Sequence, residues 1–504
     1  MERLNTLLSR NSSVVRLISL LVILSVMVLS SLPGLADRYV DGRQHRNFGN
    51  GNFLRRITQS IETDVPDLRN VFGLTHARYD ADRNVIGLSF YNHHGVLGPL
   101  LGRVCVSLFG SNEWVVRVFA LGTACLSTLL IESILFRISK NPAVSILGTI
   151  VYASLPLRVY YLTSWKYESI TELLLLSFFF FMQSYRSSRF SYVAAIALAF
   201  FACHTDWPAF LVIPVVLASF FLESRKEGNI RPMLPIAVSS LLGAVTCVLS
   251  TIWLGFASEA ADIFTFRVNS GLEDTSAFAF LVSQWIYVQI NFTDAFALLT
   301  IFAATIVLFQ KGWWKDHGKV FGLAFFAMNL VWCIVFRNHV QSHNFAQWFF
   351  APAGVILLTN LFKELSLAKL VTGCILLLGI FAMTSHLLSQ NENTSGTGED
   401  IDAILSLDRT LVFFEDGLSG DPNWWKNGSI RYYTDPLCRR SENVGLVPMS
   451  KAGDLPAERA CLVIWKSEMG AQWVSSRVQA DSLRVIGESP SLIFCVAKRP
   501  SPPN

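Results

Sequence analysis

The sequence predicts an α-helical polytopic membrane protein of about eleven transmembrane helices, followed by a small C-terminal α/β domain outside the membrane. Three observations predict it. Of 504 residues, 52% are hydrophobic and only 15% charged, with a mean hydropathy of +0.42, a balance foreign to a water-soluble globule of this size. Apolar runs long enough to cross a bilayer recur through residues 1–388, separated mostly by short charged loops. After the polar linker SQNENTSGTGED hydrophobicity falls and strand-like runs take over.

The first span is LISLLVILSVMVLSSLP (Leu17 to Pro33). After a long polar stretch come WVVRVFALGTACLSTLLIESILF, AVSILGTIVYASLPL, ITELLLLSFFFFM, YVAAIALAFFA and WPAFLVIPVVLASFF. LPIAVSSLLGAVTCVLSTIWLGF, DAFALLTIFAATIVLF, VFGLAFFAMNLVWCIVF, FAQWFFAPAGVILLTNLF and LAKLVTGCILLLGIFAM complete the set. Alternate connections carry RLNTLLSRNSSVVR, RISKN, YRSSR, ESRKEGNIR, QKGWWKDHGK and FKELSLAK, all basic and therefore read as cytoplasmic. The amino terminus is then inside and, with an odd number of spans, the carboxyl terminus outside. GLAD after the first run also has the small-x-small look of a signal-peptidase site; cleavage there removes the first span and leaves every other side assignment unchanged.

The first outer loop, residues 34–113, is too long to be a turn. Its apolar segment GVLGPLLGRVCVSLFG suits a helix lying along the interface, or equally a buried packing helix. Residues 389–504 form the outer domain, with strands expected at TLVFFED, ACLVIWK and SLIFCVAK. Of nine cysteines, six lie in or near membrane runs, where a small buried apolar side chain is the default. Cys438, Cys461 and Cys495 in the outer tail allow at most one intramolecular bridge, of unspecified pairing. A formal charge of +4 is mostly the loop bias and makes no case for nucleic acid; no repeat or low-complexity tract stands out.

The polar residues gather in the outer loops RVYYLTSWKYE, CHTDW and RNHVQSHN and just beyond the first span. A carboxylate within a span costs roughly 2.5 to 3.5 kcal/mol even on the lenient insertion scale, so such groups usually face a cavity or mark a site. Asp206, with Pro208 two residues on, is equally a plausible N-cap for the helix that follows. Glu168 and Glu172 share one helical face; the macrodipole accounts for Glu168, whereas Glu172 lies one turn deeper and needs a partner or a cavity. Arg337, His339 and His343 come from one loop, and His343 opens a span with an aromatic face. Asp37, Asp41 and His45 follow the first span. Asp41, Glu168, Asp206 and His343 thus arrive from four loops that charge alone assigns to one side, which supports a site there.

Four stretches carry a resemblance to a known family: YVDGRQHRNFGNGNFLRRI; YNHHGVLGPLLGRVCVSLFGSNEWVVRVFALGTACLSTLLI; LPLRVYYLTSWKYESITELLLLSFFFFM; and HTDWPAFLVIPVV, with SHNFAQWFFAPAGVIL as a weaker fifth. In order and spacing the chain resembles the GT-C superfamily of polytopic glycosyltransferases, in particular the bacterial branch similar to protein O-mannosyltransferases and aminoarabinose transferases. It departs from the pattern where NHHGVLGPL lacks the usual first prolines and VDGRQ lacks the paired Asp-Glu of the protein mannosyltransferases.

The resemblance implies a multi-pass enzyme of a bacterial inner membrane. Such an enzyme moves a sugar from a polyprenyl-phosphate-linked donor to a hydroxyl of a protein, lipid or glycan acceptor at the extracytoplasmic face, with inversion. It implies Asp41 as the base, with Asp37 as fallback, or Asp41 as ligand to a divalent cation; no other cofactor is implied. Arg158, Lys166, Arg337 and His343 are then candidates to hold the phosphate, through charge-assisted donors. Glu168 and Asp206 would orient sugar hydroxyls or those cations, and His94, from the NHHG segment, would contact substrate. Tyr160, Tyr161, Trp165 and Trp207 either stack on the sugar or form an interfacial aromatic belt. A transporter or flippase is the rival class, but transporters tend to show internal repeats and midplane charges, whereas these charges gather at one face.

Overall fold

The computed structural model describes residues 12–36, 50–63, 66–79, 85–91, 94–255, 277–336, 347–363, 402–404, 406–407, 410–413, 446–448, 460–465, 468–479, 483–488 and 492–497. Ten of the expected spans are helical; the eleventh, LAKLVTGCILLLGIFAM, lies outside the described residues.

Helix α1 (Ser12–Leu35) leads into the first loop, which holds more than the single helix expected there. It contains α2 (Asn50–Glu62), an antiparallel hairpin of β1 (Leu74–Tyr79) and β2 (Val85–Tyr91), and α3 (Leu97–Phe109). In α2 the apolar Phe53, Leu54 and Ile57 recur at helical spacing and are buried. GVLGPLLGRVCVSLFG holds α3, a helix with one buried and one exposed face. Gly98, Pro99, Gly102 and Val106 pack inward, while Val104, Leu108 and Phe109 stay exposed. Gly102 is required, because a Cβ there would stand 2.5 Å from the Phe53 ring.

The bundle continues with α4 (Glu113–Ser139), α5 (Pro142–Ser154), the single turn α6 (Pro156–Tyr160), α7 (Tyr167–Met182), α8 (Arg189–Thr205), α9 (Ala209–Lys226) and α10 (Met233–Gly255). Beyond these lie α11 (Ala277–Phe292), α12 (Asp294–Phe309), α13 (His317–Val335) and α14 (Phe350–Phe362). By length and composition α1, α4, α10 and α13 can each cross a membrane alone, and α11 with α12 forms a pair bent by 106°. The bend falls at Thr293, whose φ of +67° breaks the helix. Helix α11 was not among the expected spans, because Gln284, Gln289 and Asn291 interrupt its apolar run.

One continuous core joins α4, α7, α8, α9, α13 and α14. Phe179 stacks on Phe321 with ring centroids 4.0 Å apart, and Ala195, Ala199 and Ala202 give α8 a buried small-residue face. Gly243 of α10 meets the Phe200 carbonyl, where a Cβ would be 2.3 Å away.

The described basic connections meet at one end of this bundle. Arg16 pairs with Glu132, Arg137 bonds the Phe180 carbonyl and Gln183, Arg186 pairs with Glu227, and His317 with Glu223. The described parts of the first outer loop, of RVYYLTSWKYE and of CHTDW meet at the opposite end.

Towards the C-terminus, β3 (Thr410–Phe413), β4 (Leu446–Pro448), β5 (Ala460–Trp465), α15 (Glu468–Gln479), β6 (Leu483–Glu488) and β7 (Leu492–Ala497) build a five-stranded sheet in the order β4-β3-β5-β7-β6. Its β4, β3 and β5 run parallel and β5, β7 and β6 antiparallel. The expected strands are β3, β5 and β7. Leu462, not Cys461, stands opposite Cys495, so the two thiols lie on opposite faces of the sheet and are not bridged to each other. Cys438 lies outside the described residues. The Cys461 face joins Phe53, Leu54 and Ile57 of α2 in one apolar cluster, and the Cys495 face packs with Val474 and Leu483.

Candidate functional site

Helix α7 carries the centre of the polar cluster. Lys166, in extended conformation, is its N-cap; Glu168 stands in the first turn and Glu172 one turn deeper, and all three are buried. The partner that Glu172 needs is present. Its Oε2 accepts from Arg158 Nη1 at 2.5 Å and from Trp348 Nε1 at 2.8 Å, and its Oε1 accepts from the Tyr152 hydroxyl at 2.6 Å. The Arg158 guanidinium carbon lies 4.4 Å from the Tyr152 ring centre and 4.9 Å from that of Trp348. Its Nη2 is buried and has no hydrogen-bond partner among the described residues.

Glu168 faces a second group. Its electrostatic neighbours are Asp206, His94 and Lys166. Asp206, fully buried, accepts from the Trp207 N–H at 2.9 Å and lies 2.9 Å from His94 Nδ1; its Oδ2 is buried without a partner among the described residues. The His94 ring stacks on Tyr167 with centroids 4.1 Å apart.

Gly95 makes this meeting sterically feasible. Its N–H donates to the Thr205 carbonyl at 3.1 Å, and a Cβ would stand 1.6 Å from the His204 carbonyl oxygen. Gly98 in turn leaves room for the Tyr167 ring, whose Cε1 would be 2.3 Å from a Cβ. The two glycines of NHHGVLG are therefore the local reason that the first loop can press against the end of α8 and the start of α7.

The two groups are continuous. The Lys166 ammonium lies 4.8 Å over the Tyr161 ring, and Tyr161 lies 6.1 Å from Trp348. Asn50 ties α2 to the same corner, donating to the Thr163 carbonyl at 3.0 Å and accepting from the Trp165 N–H at 2.7 Å.

Of the residues expected at the site, Arg158, Lys166, Glu168, Asp206, His94 and Tyr161 come together. Trp207 is half-buried beside them, its ring tilted against Phe210. Asp41, Arg337 and His343, like Asp37, His45 and His339, lie outside the described residues. Asp206 does not cap α9 as its spacing suggested: Pro208 holds the N-cap position, and the carboxylate instead faces His94 and the Trp207 N–H. Trp165 stacks between Phe53 and Phe119, at 4.0 and 4.4 Å, and so serves the core. Sequence reasoning passed over Tyr152 and Trp348. The available signal for Tyr152 was a phenol within a membrane run, six residues before Arg158. Among the described residues no group of three or more His, Cys, Asp or Glu side chains is arranged to hold a metal ion, and Asp41, the candidate ligand, is outside them.

No family model matches the chain, and no curated protein resembles it in sequence. Solved structures do resemble it in fold. The crystal structure of ArnT from Cupriavidus metallidurans bound to undecaprenyl phosphate superposes with a TM-score of 0.58 at 14% identity, covering 96% of this chain and 98% of that one. The same protein in the apo state gives 0.49 at 14% identity, covering 94% and 97%. The likeness to the GT-C fold expected from the sequence is borne out over almost the whole chain.

Proposed function

We propose that this protein is an integral-membrane glycosyltransferase of the bacterial inner membrane that takes a sugar from a polyprenyl-phosphate-linked donor. The sugar passes to an acceptor hydroxyl at the extracytoplasmic face. The observation that carries the reading is a cluster of buried charges, Arg158, Lys166, Glu168, Glu172 and Asp206, drawn from separate loops to one end of a bundle with the fold of ArnT. The solved ArnT structure holds undecaprenyl phosphate, so this architecture accommodates a lipid phosphate.

In the proposed reaction the acceptor oxygen attacks the anomeric carbon from the face opposite the phosphate, inverting it, while Asp41 takes the hydroxyl proton. The phosphate oxygen leaves with the bonding pair, stabilised by the cations at the site, with Arg158 and Lys166 as the described ones. Glu168 and Asp206 orient sugar hydroxyls or those cations, and His94 is held by Asp206. Residues 389–504 form a separate extracytoplasmic domain in this reading.

The test is turnover. Purified protein incubated with a panel of radiolabelled polyprenyl-phosphate sugars should release the lipid phosphate, and Asp41→Asn should abolish release with expression unchanged. Silence with every donor, together with counter-transport of a solute in vesicles, would move the chain to the transporter class.

A further inference from the structure

Glu172 has no role in the reaction as just written, yet it is the point where three elements meet. Tyr152 of α5, Arg158 of α6 and Trp348, just before α14, all donate to its carboxylate. A guanidinium fixed at Nη1 by a carboxylate and flanked by two ring faces has little freedom to rotate. Its Nη2 edge is thereby aimed, and that edge is the part left without a partner. Interhelical adhesion alone would account for the bonds to Glu172. It does not account for a buried donor left unpaired at the end of so rigid an assembly, since buried polar groups are ordinarily satisfied.

We infer that Glu172 is a positioning residue: with Tyr152 and Trp348 it locks Arg158 so that the unused Nη2 edge meets the phosphate of a polyprenyl-phosphate lipid. The inference rests on the donor class proposed above. Because the carboxylate already offsets the arginine's charge, the arginine is held ready for the phosphate without needing the lipid to order it.

The experiment compares undecaprenyl phosphate with undecaprenol, which differ only in the phosphate, competing for the full-length detergent-solubilised protein in native mass spectrometry. Wild type should prefer the phosphate by about tenfold or more, the value of one charge-assisted contact. Arg158→Met and Glu172→Gln should each reduce that preference severalfold, Lys166 keeping its share, while still binding undecaprenol. The double variant should lose no more than either single one, because both act through one group. Glu172→Asp, which keeps the charge, should retain more of the preference. Should Glu172→Gln fail to fold, Trp348→Phe reads the same lock with all charges in place and should weaken the preference.

A wild-type preference in Glu172→Gln or, where that variant fails to fold, in Trp348→Phe overturns the inference. So do losses that multiply in the double variant, or an equal loss of undecaprenol binding. A wild-type protein with no preference for the phosphate would sink the donor reading itself, a result distinct from any of these.

Discussion

Gly95→Ala tests how the site is assembled. The added Cβ would stand 1.6 Å from the His204 carbonyl oxygen and 2.8 Å from its carbon, both backbone atoms in the last turn of α8. An ordinary carbon–oxygen contact is about 3.3 Å, so the two segments must part by roughly 1.7 Å. No flexible side-chain end is available to yield. A separation of that size breaks the Gly95 N–H bond to Thr205, now 3.1 Å, and pulls His94 from Asp206, now 2.9 Å.

Overpacking costs about 1–3 kcal/mol, and withdrawing a partner from a buried carboxylate costs about 1–3 more. The expected loss is therefore roughly 2–6 kcal/mol, read as a drop in thermal unfolding temperature in detergent, with loss of donor turnover. Gly122→Ala is the control: nothing lies within 4 Å of its Cβ position on α4, so it should be neutral or stabilising by up to about 1 kcal/mol. A Gly95→Ala protein as stable and active as wild type would refute the idea that close backbone approach builds the His94–Asp206 contact.

Three further outcomes are expected. Arg16→Met should cost about 3 kcal/mol by leaving Glu132 buried without its cation, and Arg16→Met with Glu132→Leu should recover most of that in the same unfolding assay. Burial, helped by Glu488, pushes the Cys495 thiol up to about 11 from 9.0. The unfolded chain thus ionises it first, and the C-terminal sheet should lose roughly 1 kcal/mol as pH rises from 9 to 10, a dependence that Cys495→Ala removes in alkaline unfolding curves. The Arg69 side chain beside Asp67 holds its carboxyl below the usual range, so the pair contributes above about pH 4 and is lost as pH falls further. Because both side chains are partly exposed, Asp67→Asn should change stability at neutral pH by only about 0.5 kcal/mol.

Much of the bundle was legible because a membrane leaves the backbone few choices: long apolar runs become helices, and basic loops share an end. The α11 helix was hidden by its own amides, since Gln284 and Gln289 lower the apolar signal while Gln284 bonds Gln347 inside the protein, where no hydropathy window looks. The hairpin of β1 and β2 was hidden by its polar content, since Thr75, His76 and Arg78 break up the apolar signal of LTHARY. At the site, Glu172 announced its need of a partner by depth alone, and helical spacing put it on the Glu168 face. Which partner it would find was not legible, because Trp348 lies 176 residues away and only tertiary packing brings it there. The capping role read for Asp206 failed for a related reason: local geometry favoured the next helix, but His94, 112 residues distant, stands at its Oδ1 instead.

The two ends of the bundle supply an internal comparison of what buried charge is for. At the basic end Glu132 is as buried as Glu172, and both of its oxygens are used: Oε1 by Arg16 Nε at 2.6 Å and Ser145 at 3.1 Å, Oε2 by Arg16 Nη2 at 2.7 Å. That is how an ion pair looks when its work is to join α1 to α4 and α5. At the other end Arg158 keeps one donor edge unused and Asp206 one oxygen, although both residues are sealed from solvent. Leaving a buried polar group unmatched costs about 1–3 kcal/mol, so an open donor and an open acceptor within one cluster of charges favour a partner that satisfies both. A donor and an acceptor left open among Arg158, Lys166, Glu168 and Asp206 are complementary to a ligand that carries both an anionic oxygen and hydroxyls. A glycosylated lipid phosphate has both, whereas an inorganic anion would leave Asp206 Oδ2 facing like charge.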